Sequence, residues 1–283
     1  MKKLFAATVL SFVLVLSSSA NAFAAESTTV YNESTLQSKV QDFYKKHKNQ
    51  AVLSKSDLEE AEAINNQVIS FVRKYDIKTT GPYKALDYTE TDLSKNIEAS
   101  LNLDEPFLNS TKIATAFLNS NTARDAAKKY AKDNGYGDIT WDNKADALRH
   151  FSWNFLMGKS IGVSEARTIA NNHEIAGVAA ANYINRSDLT YNEKLVYGTM
   201  YGKQTREKTL NDKREFNLAF YDPSIMDLVN NAEGRSYSSN SSYSSSQYLE
   251  AFNYAVGNSS YLITDLFQVS NTTRDRAWLV WYY

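Results

Sequence analysis

The segment Asp146 to Met157 constrains this chain more than any other stretch. Asp146, Arg149, His150, Trp153, Asn154 and Met157 recur at helical spacing and make one continuous stripe, while Leu148, Phe151 and Phe155 fill the opposite side. A helix with bulky apolar groups on both sides has to be surrounded by others. The polar stripe must then lie inside the protein or along a cleft. An unsatisfied buried polar group costs about 1–3 kcal/mol, so such a stripe has to be either networked or functional.

Two more segments repeat the pattern. Between Ser164 and about Ile184, Ala166, Ala170, His173 and Gly177 share one helical face, and their small side chains leave His173 as the projecting group, with Glu174 beside it. A third helix opens at Asp222-Pro223, an N-cap followed by proline at the first helical position. There Asp227, Asn230, Asn231 and Gly234 form a stripe, with Arg235 just beyond and Gly234 as the expected stop. Adjacent asparagines are poor helix formers, so tertiary contacts must hold them. Three such faces can converge on one site. We read His150, His173, Glu174, Asp146 and Arg149 as candidate catalytic groups, with Asp146 one turn before His150 to orient its imidazole. Trp153, Asn154, Asn230, Asn231 and Arg235 are candidate substrate contacts. His150, His173 and Asp227 are candidate ligands of a divalent metal.

The rest of the chain reads as helical. A first helix after Ser34 or Thr35 carries Leu36, Val40, Phe43 and Tyr44 on one face and ends in the water-facing run Lys45-Lys46-His47-Lys48, with His47 on the surface. A second starts with a capping box at Ser56 to Glu59 and continues through Leu58, Ala61, Ile64, Val68 and Phe71. Residues 76–91, with Gly81-Pro82, read as a linker. Helical texture resumes from about 101, in stretches at 105–118 and 122–134 that end at Gly135. The motif helix spans 144–158 and ends at Gly158. A further helix covers about 192–210, and a short one lies near 247–256. The Ser/Tyr-rich stretch 236–246 reads as a flexible loop. The apolar end, Ala277 to Tyr283, docks as a strand or a helix. The fold class is therefore mainly α, a multi-helix bundle-like domain over 101–283 preceded by an N-terminal helical pair and linker over 25–100.

The N-terminus reads as a signal peptide over 1–24. Lys2 and Lys3 precede an apolar run too short for a transmembrane helix, and Ala20-Asn21-Ala22 and Ala22-Phe23-Ala24 both fit the cleavage pattern. We expect a secreted, extracellular or envelope-associated protein with no transmembrane span after processing. There is no cysteine, which removes thiol catalysis, thiolate zinc sites and iron–sulfur clusters. A net charge of −1 carries no broad nucleic-acid signature, and nineteen tyrosines suit half-wet surfaces that could meet an envelope or extracellular ligand. Position 177 is Gly, so His173-Glu174 lacks the second histidine of zincin proteases. The best functional reading is an extracellular hydrolase of an ester or phosphoester, with or without a metal. The alternative is a non-enzymatic binding or toxin-like interaction module whose polar network is structural.

The order His150, His173-Glu174, Asp227 resembles, with Glu for Asp, that of the helical HD phosphohydrolases. The combination DALRHFSWN (146–154), NNHE (171–174) and MDLVNNAEGR (226–235) is more specific. It is similar to an uncharacterised α-helical bacterial domain found in small exported proteins and at the ends of larger toxin-like proteins, with the patterns D-A-x-R-H-x-x-W-N, x-H-E and D-L-x-N-N-x-x-G-R. The resemblance spans about 101–260 and implies a helical fold without an assigned activity. Val229 departs from it, since many such domains carry a polar residue there.

Overall fold

Every polar stripe described above needs a wall to face, and the helices supply it. The computed structural model describes residues 32–76, 90–240 and 242–282. The expected signal peptide and most of the expected linker lie outside the described residues. Eleven α-helices are described: α1 (Glu33–His47), α2 (Lys55–Tyr75), α3 (Glu90–Asp104), α4 (Ser110–Asp133), α5 (Lys144–Ile161), α6 (Val163–Tyr183), α7 (Tyr191–Asn211), α8 (Lys213–Ala219), α9 (Asp222–Ser238), α10 (Tyr248–Asn258) and α11 (Asn271–Tyr282). No strand occurs among the described residues, and no helix there is long and apolar enough to cross a membrane.

Helix α5 is the axle. It packs on α9 and α4 most extensively and also on α6 and α10, while α3 lies on α6 and α7, and α1 and α2 pack against α3. Leu148, Phe151 and Phe155 of α5 join Ile97 and Leu101 of α3, Ile175 of α6, Met226 of α9 and Phe252 of α10 in one apolar core. Burying a side chain of this size contributes about 1.5–3 kcal/mol, which is why the apolar half of α5 fixes its place in the bundle. The C-terminal run is a helix. Its Trp281 is buried against the rings of Phe216 and Phe220 at 6.2 and 5.1 Å.

Several boundaries differ from the sequence reading, each for a physical reason. Gly158 and Gly234 are not helix ends. A Cβ on Gly234 would lie 2.2 Å from the Phe151 carbonyl oxygen, and one on Gly158 would lie 2.0 Å from Ser238 Oγ. Both glycines mark the close approach of α5 and α9, and the turn after α5 falls at Gly162, whose φ of 103° suits glycine. The first residues of the Ser/Tyr-rich stretch are the last turn of α9, where Tyr237 packs 5.5 Å from Phe151, and Ser245–Gln247 is a 3-10 turn. The box that starts α2 is formed by Ser54 and Asp57, which exchange hydrogen bonds two residues before the expected pair. Helix α3 begins well before 101, because Leu93, Ile97 and Leu101 recur at the helical period and are buried. Helix α4 is one unbroken element, and α8 was not anticipated. His47 is not on the surface. It continues the stripe of Leu36, Val40, Phe43 and Tyr44, is 1% exposed, and lies 4.6 Å from the Phe43 ring.

Candidate functional site

The stripe of α5, the NNHE turn of α6 and the DLVNN turn of α9 do meet, as their spacing requires. Arg149 Nη2 donates to Asp146 Oδ1 at 2.5 Å and to His150 Nε2 at 2.9 Å. Asp227 Oδ1 reaches within 3.2 Å of the same Nε2, and Asp146 Oδ1 within 3.6 Å. On the other side of the ring, Nδ1 lies 3.1 Å from Asn231 Oδ1. Asn231 in turn donates from Nδ2 to Glu174 Oε1 at 3.2 Å. Arg235 can only donate to Asn154, so Asn154 turns its amide nitrogen to Asn231 Oδ1, and this fixes which end of the Asn231 amide faces the histidine. That amide oxygen fixes the imidazole tautomer with the proton on Nδ1. Nε2 is left with a lone pair facing Arg149, Asp227 and Asp146.

Asp146 does not orient His150 by a direct hydrogen bond. It holds Arg149, and its Oδ2 accepts the backbone N–H of Asp142 at 2.7 Å. Asp142 is the non-glycine residue with positive φ (58°) among the described residues, so the loop entering α5 is held in a sparsely populated conformation at the edge of the site. The orienting role belongs to Asn231, one helix away.

A small cleft opens beside this cluster. Its walls include Asp76, Lys95, Glu98, Arg124, Arg149, His150, Trp153 and His173, and its volume is about 70 Å³. A buried water needs about 10–15 Å³ on the same measure, so the cleft holds roughly five water-sized groups. That room suits one phosphoryl or carboxyl group. His173 projects into it as expected. Its Nδ1 donates to Glu98 Oε2 at 2.8 Å, and its ring stands 5.1 Å from Trp153 and 6.1 Å from His150. Trp153 is anchored by donating to the Ala116 carbonyl oxygen at 3.0 Å.

The electrostatics separate the two histidines. Burial, the Arg149 guanidinium and nearby His173 hold His150 well below the usual imidazole range, so it is neutral. Burial also acts to lower His173, but the Glu98 carboxylate outweighs it and the pKa is raised. Burial pushes Glu174 up to about 7. Asp227 is pushed well above the usual carboxylate range, by burial first and then by Glu174 and Asp146. Burial and Arg167 bring Arg235 down to about 9. Clustered perturbations of this kind are a recognised mark of functional sites.

Not every expected site residue reaches the cleft. Asp146, Glu174 and Asp227 stand behind its wall, and Asn154, Asn230, Asn231 and Arg235 are buried and do not line it either. Asn154 donates to Asn231 Oδ1 at 2.5 Å and accepts from Arg235 Nη1 at 2.8 Å, behind the imidazole. Asn230 exchanges two hydrogen bonds with the backbone of Ile263 and clamps the segment before α11. Of the expected metal set, His150 and Asp227 come together and His173 does not. Asp146 takes the third place, and one ligand atom from each of Asp146, His150 and Asp227 lies within 4.8 Å of the others. The HD-type use of the His173-Glu174 pair is not formed, since His173 faces Glu98 and Glu174 lies 3.9 Å from His150 on the Nδ1 side. Val229 is buried in the core, away from this cluster. The sequence reading missed Asp76, Lys95, Glu98 and Arg124. The period of Leu93, Ile97 and Leu101 was the signal for α3, which carries two of them.

The model of one protein family, described as a domain of unknown function (DUF6973), matches residues 107–260. The chain belongs to that family. The DUF6973 match contains all three polar segments and runs from just before α4 to just after α10, close to the 101–260 expected from the motifs. It stops short of α1–α3, so Asp76, Lys95 and Glu98 reach the cleft from outside the DUF6973 segment. No curated protein and no solved structure matches this chain.

Proposed function

We propose that this DUF6973 protein is an exported hydrolase of phosphoesters, with a divalent metal held by Asp146, His150 and Asp227. One observation carries the reading. Nε2 of His150 and one oxygen of each carboxylate lie within 4.8 Å of one another, and Asp227 Oδ1 is buried there without a hydrogen-bond partner. Ligands bonded to one ion at about 2.0–2.2 Å stand about 3–3.6 Å apart. The 3.2 and 3.6 Å separations about Nε2 match that spacing. A metal held there would supply Lewis-acid activation of a water near neutral pH. The chain's own groups would do the rest. Lys95, Arg124 and Arg149 outnumber Asp76 and Glu98 around the cleft, which favours an anionic phosphoryl group over a neutral ester. His173, its pKa raised by Glu98, is placed to give a proton to the leaving oxygen, while Asn231 holds His150 in the tautomer that offers Nε2. The basic start and apolar run before Ala24 support export.

The second reading rests on Arg149. Its guanidinium already donates to both Asp146 and His150 and so compensates the cluster without an ion. In that case the network is structural and the protein binds rather than reacts. Purified full-length protein, analysed for bound metal and assayed on a nitrophenyl phosphodiester and monoester with zinc or manganese, separates the two. The hydrolase reading expects metal-dependent turnover that falls at least about a hundredfold in Asp227→Asn. No bound transition metal together with no metal-dependent turnover would leave the structural reading.

A further inference from the structure

A second cluster lies outside both the cleft and the DUF6973 segment, at the end of the α1–α2 hairpin where residues 48–54 connect the two helices. His47 closes α1, and Asp57 and Glu60 share one face of α2 three residues apart. One ligand atom from each of the three lies within 4.8 Å of the others. The cluster contains more than acidic surface. His47 is 1% exposed, its Nδ1 is 2.7 Å from Gln50 Oε1, and its Nε2 is buried with no hydrogen-bond partner. The carbonyl oxygen of Gln50 can only accept, so Nδ1 carries the proton and Nε2 presents a lone pair. That lone pair points at Asp57 Oδ1 from 3.5 Å. Two acceptors facing each other in a buried place repel unless a cation or a proton lies between them.

We propose that His47, Asp57 and Glu60 form a zinc-type divalent cation site that clasps α1 to α2. One imidazole nitrogen with two carboxylate oxygens is a donor set suited to zinc, manganese or iron and poorly suited to calcium. Two of the ligands are prepared by a neighbour. Gln50 fixes the ring tautomer, an arrangement usual behind metal-bound histidines. The Ser54 amide and hydroxyl donate to Asp57 Oδ2, which leaves Oδ1 for the ion. Lys46 Nζ occupies part of the space, 3.0 Å from Glu60 Oε2 and 3.4 Å from Asp57 Oδ1. Its side chain is 57% exposed, so it can swing into water when a doubly charged ion arrives. Glu60 is 47% exposed, which leaves open coordination positions for solvent.

The chain has three histidines, so each ring can be followed singly. Full-length protein labelled with nitrogen-15 at histidine is stripped with a chelator and titrated with zinc chloride, and long-range proton–nitrogen spectra report every ring. The signals missing in His47→Gln assign His47. We expect that ring to show the Nδ1–H tautomer before zinc, to shift at Nε2 on adding one equivalent, and to need at least about tenfold more zinc in Glu60→Gln. Glu60→Gln changes an exposed side chain and so keeps the fold even if His47→Gln does not. An Nε2–H tautomer, or a His47 ring unmoved by excess zinc, overturns the proposal. His150 shifting while His47 stays fixed also overturns it. His47 shifting while His150 stays fixed supports this site and removes only the metal at the cleft.

Discussion

The two histidines of the cleft stand 6.1 Å apart on adjacent helices, yet their surroundings drive them in opposite directions. His150 is enclosed on α5 with a guanidinium beside it, and these outweigh the amide oxygen behind it, so it is held neutral. His173 is 37% exposed and faces the carboxylate of Glu98, so its pKa is raised. Residue type and helical position are nearly the same. What differs is the charge of the partner brought by another element, α9 and its own neighbour Arg149 in one case, α3 in the other. Environments that push two like groups apart in this way give them different tasks: a neutral ring offers a lone pair, and a ring of raised pKa holds a proton. The linkage signs follow. His150 is depressed below its unfolded value, so stability is lost as pH falls through about 6.5 toward its folded pKa. His173 is raised, so its contribution is complete below about 6.5 and fades as pH rises through its folded pKa.

The largest test removes the cation from the His150 side. Arg149→Ala leaves Asp146, 4% exposed, without its ion-pair partner and should cost about 3 kcal/mol in denaturant unfolding. It should also raise the pKa of His150 more than that of His173, because Arg149 ranks higher among the causes at His150. Equal shifts in a histidine NMR titration would break the contrast.

Glu174→Gln should act the other way on stability. The folded pKa of about 7 lies above the unfolded value of 4.5, so the stability tied to the protonated acid is present below pH 4.5 and lost as pH rises through 7. Glutamine keeps an oxygen for Asn231 and never ionises. The variant should therefore gain on the order of 2–3 kcal/mol over the parent at pH 8 and nothing at pH 4. A pH-independent difference would show that Glu174 is not the strained acid of the site.

Asn230→Ala is the control that separates scaffold from cleft. Loss of both bonds to Ile263 should cost about 2 kcal/mol of stability while both histidine titrations stay in place. A moved His150 titration would mean that the clamp is part of the site. The smallest effect is expected from Glu98→Gln, which should lower the pKa of His173 and leave the melting temperature at pH 8 almost unchanged, since the ring is partly in water. An unmoved His173 would assign its raised pKa to some other group.

Much of this was legible along the chain. The period of Asp146, Arg149, His150, Trp153 and Asn154 was enough to place a buried polar stripe on α5, and the same reasoning put His173 on a projecting face. The sequence misled where one residue type serves two ends. Glycine stops a helix and also admits a second backbone, so Gly158 and Gly234 looked like termini when they are contacts between α5 and α9. Histidine after lysines looked exposed, although His47 completes an apolar stripe. Asparagine in a polar stripe looked like a substrate contact, whereas Asn230 holds a backbone and Asn231 holds an imidazole.

Local spacing determined the helices, their buried faces and the three segments that had to meet, because helical periodicity is a property of near neighbours. It could not determine that Asp146 pairs with Arg149, that Asp227 rather than His173 stands against Nε2, or that α3 supplies Glu98 from outside the DUF6973 segment. Those choices are contacts between residues far apart in the chain, 75 positions for His173 and Glu98, or competitions among close neighbours for one hydrogen bond. Only the packed bundle, which fixes distances of a few ångströms and removes water, settles which charge each group meets.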